Sequence, residues 1–324
     1  MKPWSFRKKF VFGLVVVIVG LLVYRGYKSM SGENSRSLTK NEILHLELHG
    51  VIMNGKKFLS SLKKYSKEDS IKAIVIDINS PGGAVGPSQE IYYEILRVKA
   101  ETHKPVVCVS TGLIASGGYY SALACDKIIV APGTMIGSIG VIMEFANLEK
   151  LYDWAHISRY TIKSGKFKDS GAEYRAMRDD EKQLFQDMIN EVYAQFRDTV
   201  VESRKLSVET VNAYADGRVM TGAKAVELKF ADSIGMFEDA VKIAARDAGL
   251  GEDYKVFKPH KDKPGILDLL SMGGGDDDDD LNSLSEIKGM LGASKISSIK
   301  ELTQMFLKTK YLNQPLYLMP GYWE

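Results

Sequence analysis

The residue best placed to do chemistry is Ser116, in Ser116-Gly117-Gly118-Tyr119. It follows an apolar strand reading at residues 106–109 and precedes a small-residue helix read over 120–124. A serine hydroxyl is a weak nucleophile until a general base lies within hydrogen-bond reach. At a helix N-terminus it would stand among unpaired backbone N–H groups and a dipole that favours a developing oxyanion. Gly117 and Gly118 would let a substrate backbone approach where a Cβ would block it. A tight packing turn at a helix start would read the same way. The second glycine turn, Asn79-Ser80-Pro81-Gly82-Gly83, closes an apolar strand at 73–78 and tips the balance. A glycine there can aim a second N–H at the same carbonyl oxygen, and losing one such donor costs about 2.7–4 kcal/mol of transition-state stabilisation.

The base is not a histidine by context. His45 and His49 lie on or just after the first strand, His103 precedes Pro105, and none of these or of His156 and His260 has a serine-protease context; each reads as a surface or strand-flanking residue. A lysine can serve if burial among apolar walls holds its amine neutral, well below the usual pKa of about 10.4. Lys163, Lys166 and Lys168 lie together in Ile162-Lys163-Ser164-Gly165-Lys166-Phe167-Lys168-Asp169, after a strand reading, and the residues alone do not choose among them.

These parts need a scaffold. From the alternating strand at 43–48, strands and helices alternate: a helix at 56–65, the strand at 73–78, and a helix at 88–99. The strand at 106–109 and the serine helix follow, then strands at 127–130 and 141–143. Buried strands interleaved with helices predict an α/β fold of stacked parallel sheets with flanking helices. A long helix is expected at 180–203 with an apolar stripe at Leu184, Met188, Val192 and Phe196. Farther on, Thr221 is the expected N-cap of a helix whose Ala223 and Val226, with Phe230, would face the core, and a last amphipathic helix spans 237–248.

The ends differ in character. Residues 10–24 carry no charge, span about 22 Å as a helix, and are flanked by aromatic and basic residues that could reach both interfaces of a ~30 Å hydrocarbon layer. No small-residue cleavage site follows, which predicts a retained anchor (residues 1–28 with its stub) rather than a removed signal peptide. Lys2, Arg7, Lys8 and Lys9 precede it more densely than Arg25, Lys28, Arg36 and Lys40 follow, placing the N-terminus in the cytoplasm and the bulk of the chain outside. A polar tether at 29–41 leads to the domain at 42–258. Residues 259–324 hold a solvated glycine and aspartate run, Asp276 to Asp280, then a helix and an apolar, aromatic tail expected to dock on its own domain or a neighbour.

Composition removes other functions. A net charge of +2 with 26% charged residues, and no basic stripe, argues against nucleic-acid binding. Cys108 and Cys125 read as buried small hydrophobes whose spacing does not demand a disulfide, and no Cys/His spacing predicts a metal. No cofactor is expected.

Four motifs in order carry a resemblance: Asn79 to Gly83, Ser116 to Tyr120, Gly137-Ser138-Ile139-Gly140-Val141, and Lys163 to Asp169. Together they resemble the bacterial signal peptide peptidase A family in its short, single-repeat form, membrane-anchored serine proteases of the ClpP/crotonase fold class. The segment from Gly217 to Gly235 resembles a later unit of the family, and the likeness covers about residues 42–258. It implies that Ser116 is the nucleophile and that Lys168, 52 residues on, is the general base of a Ser/Lys dyad oriented by Ser138. It also implies an oxyanion hole from the N–H groups of Gly83 and Gly117, with Gly82 and Gly118 lining the substrate. Short members build the dyad between subunits, so the resemblance implies a homo-oligomer, about eight protomers, tethered to a cytoplasmic (inner) membrane with its catalytic domains outside.

The expected activity is endopeptidase cleavage of hydrophobic peptides, such as signal-peptide remnants in the bilayer. Rival readings are an NfeD-type membrane serine protease, a crotonase-like acyl-CoA enzyme, and a catalytically silent membrane scaffold of the same fold.

Overall fold

The computed structural model describes residues 41–259 and 315–319. The expected anchor at 10–24, nearly all of the tether and the aspartate run lie outside the described residues. Among the described residues no helix is long and apolar enough to cross a membrane.

In chain order the first half comprises β1 (Glu42–His49), α1 (Lys56–Tyr65), β2 (Ile71–Asn79), β3 (Gly82–Ala84), α2 (Val85–Thr102), β4 (Val106–Ser110) and β5 (Leu113–Ala115). Then come α3 (Gly117–Ala122), β6 (Lys127–Val130), β7 (Met135–Gly137), α4 (Glu149–Trp154) and α5 (Asp179–Arg204). The last are α6 (Val208–Asn212), β8 (Val219–Thr221), α7 (Gly222–Glu227), β9 (Ser233–Ile234), α8 (Phe237–Asp247), β10 (Lys255–Phe257) and β11 (Leu316–Leu318).

Six strands form a wholly parallel sheet in the order β10-β1-β2-β4-β6-β9. That is why β2 and β4 read as near-continuous apolar runs: both of their faces are covered. Leu46, Leu48, Ile74, Ile76 and Ile78 point into the main core, while Ile43, Ala73, Val75, Val107 and Val109 form a second core beneath Ala240, Val241, Ala244 and Ala245 of α8. A smaller sheet, β5-β7-β8, pairs parallel and then antiparallel, and its first strand leads into the α3 turn.

Helix α1 matches its sequence reading, with Phe58, Leu59 and Leu62 on its buried face. Thr221 caps α7 as expected, its hydroxyl accepting from Lys224 N at 3.3 Å. Other expectations shift. The serine helix begins at Gly117, directly after Ser116, rather than at residue 120. In α7 it is Ala225 that is buried and Ala223 that is exposed. Along α5 only Phe196 of the expected stripe is fully buried and Leu184 is exposed, because the helix packs against the domain through its second half. The strand expected at 141–143 reduces to a single bridge between Ile142 and Leu316, and no strand precedes Lys163. Cys108 and Cys125 are bonded, with Cα atoms 5.9 Å apart, rather than free thiols.

Candidate active site

Ser116 sits where β5 ends and α3 begins, at φ 51° and ψ −118°. That left-handed φ costs a non-glycine residue about 1–3 kcal/mol and persists only where the surroundings impose it. Here they do: Ser116 N donates to Gly137 O at 2.8 Å, and Tyr120 N donates to Ser116 O at 2.8 Å. The hydroxyl does not cap the helix behind it. It is buried, and its Oγ has no hydrogen-bond partner among the described residues. A buried polar atom left so calls for an explanation, and a catalytic role is one.

The glycines of both turns converge on this point. A Cβ on Gly117 would stand 2.4 Å from Ser88 Oγ and 3.2 Å from Gly83 N, so the two expected oxyanion donors belong to touching backbones. Gly82, at φ +99°, is tighter: a Cβ there would lie 2.0 Å from Tyr317 O, 2.6 Å from Gly117 N and 3.0 Å from Ser116 Cβ. Ser80 braces the turn by accepting from Gly82 N at 3.1 Å, and Gly118 packs against Ser80.

Tyr317 belongs to the C-terminal tail, and its position is the least expected feature. Strand β11 pairs antiparallel with β3, Leu316 opposite Ala84, Tyr317 opposite Gly83 and Leu318 opposite Gly82. On its other side Leu316 and Ile142 exchange both backbone bonds, at 2.9 and 3.1 Å. Met319 N donates to Pro81 O at 2.9 Å. In an antiparallel ladder the bonded pairs alternate, so the next bonded pair is Tyr317 with Gly83. The Gly83 N–H therefore points at the Tyr317 carbonyl, beside Ser116. The Tyr317 ring is wholly buried against Tyr120 and Phe196, centroids 5.3 and 4.8 Å away, and its hydroxyl donates to Val192 O at 3.1 Å. Leu316 fills a second apolar spot with Ala84, Val51, Met53 and Ile142. The tail thus lies as an added strand across the glycine turn, with the successive side chains of Leu316 and Tyr317 in apolar pockets on opposite faces.

Ser138 follows Gly137, the residue that holds Ser116 N, and is itself buried at φ 50° with its N–H on Arg218 O at 2.8 Å. Lys168 lies elsewhere. It sits in the stretch 155–178, which has neither helix nor strand, and is exposed. Within one chain it does not reach Ser116. The three lysines of that stretch nonetheless differ. Lys163 is ion-paired with Asp169 and Lys166 with Asp180, whereas Lys168 forms no ion pair among the described residues. Around it a network fixes the stretch to the start of α5. Arg175 grips the buried Glu181 at 2.6 Å and Asp169 at 3.2 Å, while Arg178 holds Glu181 at 2.8 Å. Hydrogen bonds from Lys163, then Arg175, push the Asp169 carboxyl down to about 2.

The structure therefore gathers Ser116, Ser138, Gly82, Gly83, Gly117 and Gly118, and leaves Lys168 on the surface. Sequence reasoning missed Leu316 and Tyr317 as occupants of the groove, and Tyr120 and Phe196 as its wall.

The model of peptidase family S49 matches residues 99–251, and that of the Clp protease family matches residues 34–136. A putative protease of Synechocystis sp. is 37% identical over 263 residues, 80% of this chain and 92% of the relative. The chain belongs to peptidase family S49. It is a serine peptidase with a ClpP-like α/β fold, a parallel sheet flanked by helices. A putative signal peptide peptidase SppA of Enterococcus faecium is 30% identical over 258 residues, 75% of this chain and 74% of the relative. Protease 4 of Salmonella typhi is 30% identical over 231 residues, 68% of this chain but 37% of that longer protein.

Proposed function

We propose that this S49 peptidase is a membrane-anchored endopeptidase that cuts extended hydrophobic peptides, signal-peptide remnants among them, with Ser116 as nucleophile and Lys168 of a neighbouring subunit as general base. The observation that carries the reading is the buried, unpartnered Ser116 hydroxyl beside a peptide strand already laid across the glycine turn. In this reading neutral Lys168, oriented by Ser138, takes the Ser116 proton as Oγ attacks the carbonyl carbon. The N–H groups of Gly83 and Gly117 hold the oxyanion; Gly82 and Gly118 let the substrate backbone lie close. The amine product leaves with that proton, and water then hydrolyses the acyl-enzyme. The Tyr317 pocket makes a large apolar or aromatic residue the preferred one before the scissile bond, and the tail competes with substrate for the groove.

Exposed Leu151, Trp154, Tyr160 and Ile162 precede Lys168 and favour a homo-oligomer whose neighbouring subunit covers them, about eight protomers in a ring. The anchor at 10–24 would hold that ring on the inner (cytoplasmic) membrane by a single pass, domains outward. The bonded Cys108 and Cys125 fit an oxidising compartment. A fluorophosphonate probe tests the nucleophile: labelling of wild type that vanishes in Ser116→Ala supports it, and labelling that persists in Ser116→Ala rejects it.

A further inference from the structure

Strand β1 reads His45-Leu46-Glu47-Leu48-His49. Because strand side chains alternate, Leu46 and Leu48 enter the main core while His45, Glu47 and His49 share the opposite face. Glu47 is the register partner of Asp77 on β2. Three residues able to ligate a metal on one strand thus meet a fourth on the next. Each of His45, Glu47 and Asp77 offers one ligating atom, and these atoms all lie within 4.8 Å of one another. His49 Nε2 is 3.4 Å from Asp77 Oδ2. Ligands about 2.1 Å from a four-coordinate ion stand roughly 3.4 Å apart, so an ion would draw the atoms of His45, Glu47 and Asp77 together by at most about 1.4 Å.

We propose that His45, Glu47 and Asp77 form a binding site for a divalent transition-metal ion of the zinc class, with water in the fourth position and His49 orienting Asp77 from outside. An imidazole beside two carboxylates suits such an ion better than magnesium or calcium, which favour all-oxygen shells. Two further observations point to a ligand here. His45 Nε2 is buried with no hydrogen-bond partner among the described residues, while its ring packs against Phe237 with centroids 4.4 Å apart. A buried nitrogen left unpaired is destabilising, and coordination would satisfy it. Lys258, just past β10, already places its ammonium on Glu47, so the cluster attracts a cation; that half-exposed side chain can swing away when an ion arrives.

The site is separate from the peptidase groove, on the sheet face packed by α8. It nonetheless grips the two strand ends that lead to that groove. Gly50 N bonds Asn79 O at 2.9 Å, and Ile52 N bonds Gly82 O at 2.8 Å, directly beyond the cluster. An ion would tie these ends together and stiffen the glycine turn without touching the reaction.

The test uses the full chain in detergent, stripped by chelator and then titrated with Co²⁺ and Zn²⁺. One equivalent of Co²⁺ with four-coordinate visible absorption, displaced by Zn²⁺, is the expected result. His45→Ala and Glu47→Gln should each weaken binding about tenfold or more, and Lys258→Met should tighten it. Asp77→Asn serves if His45→Ala does not fold. Because these variants keep His260 and the aspartate run, non-specific binding there would persist in all of them. No stoichiometric binding, or binding that none of the ligand variants weakens, would overturn the site.

Discussion

Replacing Tyr317 by alanine should turn the enzyme up. The Tyr317 ring is fully buried between Tyr120 and Phe196, and its hydroxyl is bonded to Val192 O. Truncating a buried aromatic ring typically costs about 3–5 kcal/mol, and the lost hydroxyl bond about 1 kcal/mol of that scale. Groove walls that relax, and a tail that regains freedom when undocked, bring the expected loss to about 3 kcal/mol. That corresponds to roughly a hundredfold fall in the ratio of docked to undocked tail. Peptide substrate at low concentration competes directly with the docked strand. Hydrolysis of a fluorogenic apolar peptide should therefore rise toward the same factor, and a synthetic peptide of residues 315–319 added in trans should inhibit again. A thermal melt separates release of the tail from loss of the aromatic core. A Tyr317→Ala enzyme that folds normally but hydrolyses the peptide no faster than wild type would show that the tail does not block the groove.

Gly82→Ala should preserve circular dichroism yet reduce turnover at least about a hundredfold, because its Cβ would collide with Gly117 N and the bound strand, and near-wild-type turnover would count against the site. Replacing Cys108 and Cys125 by serine should lose about 3 kcal/mol of loop-closure stabilisation, a drop of about 6–12 °C in Tm. Two free thiols by mass spectrometry in protein from an oxidising compartment would contradict that bond. Asp169 has its carboxyl depressed to about 2 by Lys163 and then Arg175, so its hold on the stretch 155–178 is complete above the usual carboxylate range and is lost only as pH falls through about 2. Asp169→Asn should therefore show at neutral pH faster limited proteolysis within that stretch and lower turnover, while wild type shows neither across neutral pH.

The parallel sheet was legible because strands covered on both faces leave unbroken apolar runs, as in β2 and β4, and α1 because Phe58, Leu59 and Leu62 recur at helical spacing. Strands β3, β5 and β7 were not, since three residues are too few to show a period. The turn at Ser116 was legible through its glycines. Its occupant was not: the tail's apolar residues announce docking, yet nothing local in Leu316 or Tyr317 says that Gly83 is the partner some 230 residues earlier. Leu184 reads as core because periodicity marks an apolar face and not what covers it. The same limit applies to Lys168: the residues alone do not choose it over Lys163 and Lys166, and in the structure it is exposed.

Mixed oligomers decide whether the Ser116 hydroxyl is activated by the amine of Lys168 from an adjacent subunit. Ser116→Ala and Lys168→Ala protomers are each expected to be inactive alone. Dissociated together and reassembled in equal amounts, they should recover about a quarter of wild-type activity, since random neighbours place an intact serine beside an intact lysine at one site in four. Verified mixed oligomers with no activity at all would contradict a dyad shared between subunits.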